Sequence, residues 1–308
     1  MEKPKVIVIC GPTASGKTDL SIKLAQKING EIISCDSMQI YKDMNIGTAK
    51  VTKEEMQDIK HYLVDYVDPT ERYNVSRYKK DAIAAIEEIL AKGKVPIVVG
   101  GTGLYINSLV YGIDYPEIET DLNYREELEK RAEENGLDSL YEEACKIDGV
   151  AMEKISRNDK KRIIRILEIY KETGKTKTEI EKESRSKENP YNFYTFAIDF
   201  PREVLYERIN KRVDIMIEQG LVEETKYLLE KYGESLITSM QAIGYKELVP
   251  YIKNEESLDA AIDRLKEETR HYAKRQITWF KRIENIIWIN GLSDKEENVD
   301  FIIKRLNT

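Results

Sequence analysis

Residues 6–25 read VIVICGPTASGKTDLSIKLA, and the succession of residue types in this stretch decides the fold class. KVIVIC at 5–10 is an unbroken apolar, β-branched run, the pattern of a strand covered on both faces. Gly11-Pro12-Thr13-Ala14-Ser15-Gly16-Lys17-Thr18 then matches GxxxxGK[ST] at each fixed position. Residues 17–28 have helical spacing and stop at Asn29-Gly30. Strand, glycine loop and helix are the context the motif requires. The glycines let the backbone wrap so that its N–H groups point inward, and the helix N-terminus adds its positive dipole end. Lys17 brings a point charge to phosphate oxygens, and the Thr18 hydroxyl is a ligand for Mg²⁺. Such a loop binds a diphosphate whatever it is attached to. A nucleotide that surrenders a phosphoryl group and a diphosphate that departs as a leaving group both remain open.

Working outward, EIIS at 31–34, HYLVDYV at 61–67, VPIVV at 95–99, FYTFAIDF at 193–200 and NIIWI at 285–289 read as further strands. Residues 76–92 place Tyr78, Ala82, Ile86 and Ile89 on one helical face and end at Gly93. The alternation predicts an α/β protein with a parallel sheet covered by helices. Between about 115 and 190 no strand pattern occurs; the text is charged and helical, and SRSKENPYN at 184–192 reads as a polar loop. Residues 202–232 and 256–282 are helical, the latter one long amphipathic helix. The expected organisation is a P-loop α/β core with C-terminal helices, 1–115 and 193–308, carrying a helical insertion domain at 116–192.

Composition narrows the class. Of 308 residues, 41% are hydrophobic and 34% charged, as in ordinary globular proteins. No run approaches the ~20 apolar residues of a membrane helix. The N-terminus enters a strand without a cleavage site, so no signal peptide is expected. Cys10, Cys35 and Cys145 form no CxxC pair or ligand cluster; Cys10 and Cys35, in apolar strand-like contexts, read as buried free thiols, and a reduced, cytoplasmic compartment is expected. A monomer is the expected state. The net charge of −7 argues against a uniformly basic surface, but two segments are locally basic. RNDKKRIIR at 157–165 has five positive charges against one negative, and 264–282 has seven against two.

The strand VPIVV runs into GGTGLY with no acid at its end, which weakens a motor-type ATPase. The second strand does end in one: SCDSMQIY places Asp36 just beyond it, at the sheet edge where ligands bind. Spacing leaves Asp36 either a general base beside the phosphate loop or a turn aspartate. GGTGLY at 100–105 is a second glycine-rich turn whose amides and Thr102 hydroxyl can face the same crevice.

At this point the motifs carry a resemblance. GPTASGKT, ISCDSMQIYKDMNIGTAK at 33–50, HYLVDYVDP at 61–69 and VGGTGLYI at 99–106 resemble the tRNA dimethylallyltransferase (tRNA isopentenyltransferase) family of bacterial type. NDKKRIIRILEIY at 158–170, RINKRVDIMIEQGLVEE at 208–224, QAIGYKEL at 241–248 and KRQITWFKR at 274–282 continue it in the family's order, over essentially the whole chain. The resemblance implies a P-loop NTPase-like fold and transfer of a dimethylallyl group from dimethylallyl diphosphate. The acceptor would be N6 of the adenosine 3′-adjacent to the tRNA anticodon. It implies a diphosphate held by residues 11–18, Mg²⁺ on Thr18, and Lys17, Thr18 and Asp36 as the catalytic set, Asp36 as base. It further implies contact with the anticodon stem-loop by Asp36, Ser37, Met38, Gln39 and Thr102, by Arg125, and by Lys160, Lys161, Arg162, Ile163 and Ile164 of the insertion domain. Gln39 can pair with a base edge once the target adenosine leaves its stack.

Some residues stay open. Arg208 and Arg212, four apart on one helical face, reach either the diphosphate or the RNA, or only pair with acids such as Glu203 and Glu207. The aromatics His271, Tyr272, Trp279 and Phe280 suit stacking on RNA or a packed core. His61 reads as structural. Three rival readings compete with transfer to tRNA: a P-loop small-molecule kinase, an isopentenyltransferase for free adenylate, and a non-catalytic RNA-binding protein.

Overall fold

The computed structural model describes residues 3–116, 121–236 and 238–307. The start expected for the insertion, 116, abuts residues 117–120, which lie outside the described residues. The strands are β1 (Lys5–Cys10), β2 (Gly30–Ser34), β3 (His61–Tyr62), β4 (Val95–Gly100), β5 (Asn192–Asp199) and β6 (Ile287–Asn290). The helices are α1 (Lys17–Ile28), α2 (Lys53–Met56), α3 (Val75–Ala91), α4 (Gly103–Val110), α5 (Leu122–Asn135), α6 (Leu137–Ile147) and α7 (Gly149–Met152). After them come α8 (Lys160–Thr173), α9 (Lys177–Ser186), α10 (Arg202–Glu218), α11 (Leu221–Tyr232), α12 (Val249–Ile252), α13 (Leu258–Phe280) and α14 (Lys295–Leu306).

The chain divides into two compact units, one of residues 1–74, 78–106 and 190–308, the other of residues 75–77 and 107–189. The first contains a sheet of order β3-β2-β4-β1-β5-β6, every described pairing parallel. Its core joins Ile7 and Ile9 of β1, Leu20 and Leu24 of α1, Ile97 of β4, Phe196 and Ile198 of β5, and Val299 and Ile302 of α14. Residues this apolar on β1 and β4 need helices on both faces. Helix α1 ends where Asn29 turns left-handed and its N–H returns to the Ala25 carbonyl at the cap. The adjacency of β2, β4 and β1, with Cys10 opposite Gly100 and Ser34 opposite Val99, brings three strand ends level at one edge. The phosphate loop, the Asp36 segment and GGTGLY all leave from that edge.

The second unit is helical among its described residues. Leu128, Leu140, Ala144, Met152, Ile163, Ile164, Ile166 and Leu167 form its core. Asp121 caps α5 and Asp159 caps α8 through their first-turn amides. Asp148 caps α7 and also accepts from the Thr178 N–H and hydroxyl, at 2.9 and 2.6 Å.

Three expected elements differ. The strand expected over 61–67 pairs only at His61 and Tyr62, because Leu63 and Asp65 take left-handed φ of 60° and 57°. Val67 rejoins through a single bridge to Tyr41. The helical stretch 202–232 is two helices, parted where Gly220 has φ 98°. The polar loop expected at 184–192 is helical to Ser186 and enters β5 at Asn192.

Candidate active site

The phosphate loop takes the shape its sequence asks for. Ala14 and Gly16 have φ of 63° and 80°, and Gly16 caps α1. Left-handed backbone costs glycine nothing, whereas alanine holds it only under surrounding constraint. Lys17 Nζ donates to the Pro12 carbonyl at 2.8 Å, folding the side chain over the loop. Burial pushes its pKa down, the Arg212 charge pushes the same way, and Asp36 pulls back; the result is about 8. Arg208 Nε donates to the Ala14 carbonyl at 2.8 Å. Arg212 is itself held below the usual guanidinium range by burial. Ser15 Oγ is buried without a hydrogen-bond partner, a group suited to an incoming anion's oxygen.

Across the edge, Asp36 Oδ1 accepts from the N–H groups of Met38 at 2.9 Å and Gln39 at 3.3 Å. The turn role is therefore present, and it uses one carboxylate oxygen. The second glycine turn fits against this segment: a Cβ on Gly100 would lie 2.0 Å from the Cys35 carbonyl oxygen. Thr102 Oγ1 accepts from Ser37 N–H at 3.1 Å. Tyr272 of α13 sits beside both Asp36 and Thr102, and burial and the Asp36 charge raise its phenol pKa. Gln39 Nε2 donates to the Thr48 and Ala49 carbonyls at 3.2 and 3.0 Å, so here its amide supports the 45–50 loop. That loop is clamped from outside too. Glu224 accepts the N–H groups of Asn45, Ile46 and Gly47 and the Tyr245 hydroxyl.

These parts surround a cleft of about 1010 Å³. Thr13 to Thr18, Asp36 to Gln39, Arg208, Arg212, Tyr272, Arg275 and Gln276 line it, with apolar positions Ile46, Val213, Met216 and Ile243. A lining that combines cationic and apolar side chains suits a diphosphate bearing a hydrocarbon. Among the described residues no group of three or more His, Cys, Asp or Glu stands ready to hold a metal ion.

The remaining expected site residues lie in the helical unit. Arg125 donates twice to Glu168, from Nε at 2.8 Å and from a terminal nitrogen at 3.0 Å. Lys160 pairs with Glu133 at 3.5 Å and Arg162 with Asp159 at 3.3 Å, while Lys161 is exposed. Ile163 and Ile164 are 0% and 2% exposed. They form the apolar stripe of α8, so their side chains offer no surface to a polynucleotide, a correction to the expectation that grouped them with their basic neighbours. His61 Nδ1 hydrogen-bonds the Ile59 carbonyl at 2.8 Å.

The IPP transferase profile matches residues 39–283. The chain belongs to the IPP transferase family. IPP transferase relatives include the tRNA dimethylallyltransferase of Acetivibrio thermocellus, 50% identical over 301 residues, 98% of this chain and 96% of that one. The tRNA dimethylallyltransferase of Lachnoclostridium phytofermentans is 48% identical over 96% of this chain and 93% of its own. Among solved structures, the full-length tRNA isopentenylpyrophosphate transferase of Bacillus halodurans matches with a TM-score of 0.74 at 40% identity, covering 99% and 96% of the two chains. A eukaryotic dimethylallyltransferase acting on tRNA matches with a TM-score of 0.82 at 35% identity, covering 98% of this chain and 77% of that one. The parallel sheet and its phosphate loop are the P-loop NTPase-like fold of these IPP transferase structures.

Sequence reasoning did not single out Gln276, Glu224 or Tyr245. Each acts through a partner more than 20 residues away in the chain, and only the quoted family segments around them gave any signal.

Proposed function

We propose that this protein transfers the dimethylallyl group of dimethylallyl diphosphate to N6 of the adenosine 3′-adjacent to the tRNA anticodon. The observation that carries this is the cleft itself: Lys17 and Asp36 face it from beyond the ends of β1 and β2, close enough that the Asp36 carboxylate raises the Lys17 pKa against the effect of burial. The allylic C–O bond breaks with its electron pair going to diphosphate, the N6 lone pair forms the new C–N bond, and the N6 proton passes to Asp36. An exocyclic adenine amine is a weak nucleophile, so a placed base contributes typically ~10²–10⁴-fold. Lys17, the loop amides, Ser15 and Arg208 meet the negative charge that grows on the leaving group.

Mg²⁺ fits this donor set through the Thr18 hydroxyl and the diphosphate's own oxygens, where it would supply further charge neutralisation. Ser37, Met38, Gln39 and Thr102 would receive the extruded adenosine. The helical unit, through Arg125, Lys160, Lys161 and Arg162, would contact the phosphate backbone. The protein acts as a cytoplasmic monomer in this reading, and no helix among its described residues is long and apolar enough to cross a membrane.

The test is transfer of label from dimethylallyl diphosphate to unmodified tRNA, with wild type and Asp36→Ala side by side and AMP and ATP as controls. Label in tRNA, lost ~10²-fold or more in the variant, is the expected result. Product from AMP alone, or phosphoryl transfer from ATP, would overturn it.

A further inference from the structure

Gln276, on α13, is only 6% exposed. Both ends of its side-chain amide are used. Oε1 accepts the Thr13 N–H of the phosphate loop at 2.9 Å, and Nε2 donates to the Gly101 carbonyl of the second glycine turn, also at 2.9 Å. The next residue of that turn, Thr102, holds the Ser37 N–H with its hydroxyl and gives its own N–H to the Cys35 carbonyl at 3.2 Å. One amide thus links the loop that grips the leaving group to the segment that carries Asp36. The approach is close: a Cβ on Gly101 would lie 2.1 Å from Nε2. One turn of α13 earlier, Tyr272 lies beside Asp36 and Thr102. Close by, Trp279 packs where a Cβ on Gly103 would stand 2.3 Å from its ring. Helix α13 is therefore seated on both glycine turns.

We infer that Gln276 is a positioning residue that sets the spacing between the diphosphate half and the acceptor half of the active site. The inference rests on the transfer reaction proposed above. Displacement at an allylic carbon needs the amine, the carbon and the departing oxygen in line, and a misplacement of ~1 Å costs about 10²-fold in rate. Each half keeps its own binding groups without Gln276, so loosening the link lowers turnover more than affinity. A neutral amide is what the position requires. A carboxylate accepts from Thr13 but has no proton for the Gly101 carbonyl, and it adds negative charge beside a diphosphate.

Steady-state transfer kinetics of the full-length protein test this, with melting curves in parallel. The variants are Gln276→Met, Gln276→Glu, Gln276→Ala, Gly101→Ala, and Gly101→Ala combined with Gln276→Ala. Gln276→Met is expected to lower kcat ~10²-fold, with KM for each substrate within about 3-fold of wild type; Gln276→Glu should show the same loss of kcat and, through its added charge, also raise KM for dimethylallyl diphosphate. Gly101→Ala should show the same loss, because its methyl displaces the amide. In the Gln276→Ala background the same methyl should cost less than ~2-fold more, since the side chain it strikes is gone. Where Gln276→Met melts early, Gln276→Glu, which keeps the Thr13 bond, and the glycine variant decide the matter. Unchanged kcat, a loss confined to KM for dimethylallyl diphosphate, or losses that multiply in the double variant would overturn the inference. Absence of transfer by wild type refutes the proposed reaction itself, and is thereby told apart.

Discussion

Replacing Lys17 by methionine removes a partly buried ammonium that has the cation Arg212 for a neighbour. The lysine falls from an ordinary 10.5 to about 8 in the folded protein, chiefly through burial. At ~1.36 kcal/mol per unit, keeping it charged costs the resting fold about 3 kcal/mol. Against that, the Pro12 carbonyl loses a charged donor, worth ~1.5–3 kcal/mol. The variant should therefore match wild type or exceed it by up to ~2 kcal/mol at pH 7, while losing the charge that the proposed reaction sets against the leaving group. The pH dependence is sharper. The folded pKa is depressed, so wild type carries the full penalty below pH 8 and sheds it as pH rises from about 8 to 10.5. The variant's relative advantage should shrink over that window. Urea denaturation of both proteins at a series of pH values, in buffers free of phosphate and sulfate, measures the difference. A variant clearly less stable at pH 7, with a gap constant to pH 10, would refute the argument that burial strains the charge. Diphosphate binding should correspondingly take up a proton above pH 8, detectable as buffer-dependent binding heat.

Asp36→Asn keeps an acceptor for the Met38 and Gln39 amides, so it should retain the fold and substrate KM while losing ~10²-fold or more in kcat; a comparable loss of melting temperature would instead make the residue a turn former. Gly47→Ala should destabilise by ~1–3 kcal/mol in urea titration, because its Cβ would stand 2.4 Å from the buried Tyr245 ring; a neutral effect would mean the 45–50 loop yields freely. Combined Lys161→Ala and Arg162→Ala should raise KM for tRNA and flatten its dependence on log salt by about 2, with kcat unaltered; an unchanged salt slope would remove α8 from the RNA interface. Ile164→Ala should cost ~2–5 kcal/mol of stability from its place in the helical unit's core, and an effect seen only on tRNA affinity would contradict that burial.

The phosphate loop's shape was legible because its chemistry is local: spacing of Gly11, Gly16, Lys17 and Thr18 specifies the turn and the helix start together. The sheet was legible for a similar reason, since KVIVIC and VPIVV are too uniformly apolar for an exposed face. What escaped was set by distant partners or by backbone angles. HYLVDYV looks like a strand by side chain, yet Leu63 and Asp65 turn left-handed, and side-chain pattern does not report φ. Ile163 and Ile164 sit in a basic run whose charge masked a core stripe. Gln276 finds Thr13 across 263 residues of chain, and Glu224 finds Gly47 across 177, separations that no local pattern encodes. From spacing, Asp36 was legible only as a choice between two roles, and the structure shows the turn role, carried by one carboxylate oxygen.

The concentration of cations around the phosphate loop has a consequence for the end of the cycle. In the proposed reaction, bond cleavage would increase the negative charge on a leaving group set among Lys17, Arg208 and the loop amides, so the by-product would be held more tightly than the reactant. By-product escape is then expected to limit turnover, and free diphosphate to inhibit in competition with dimethylallyl diphosphate. An accompanying activity that hydrolyses diphosphate to phosphate would speed the whole cycle without touching the transfer step.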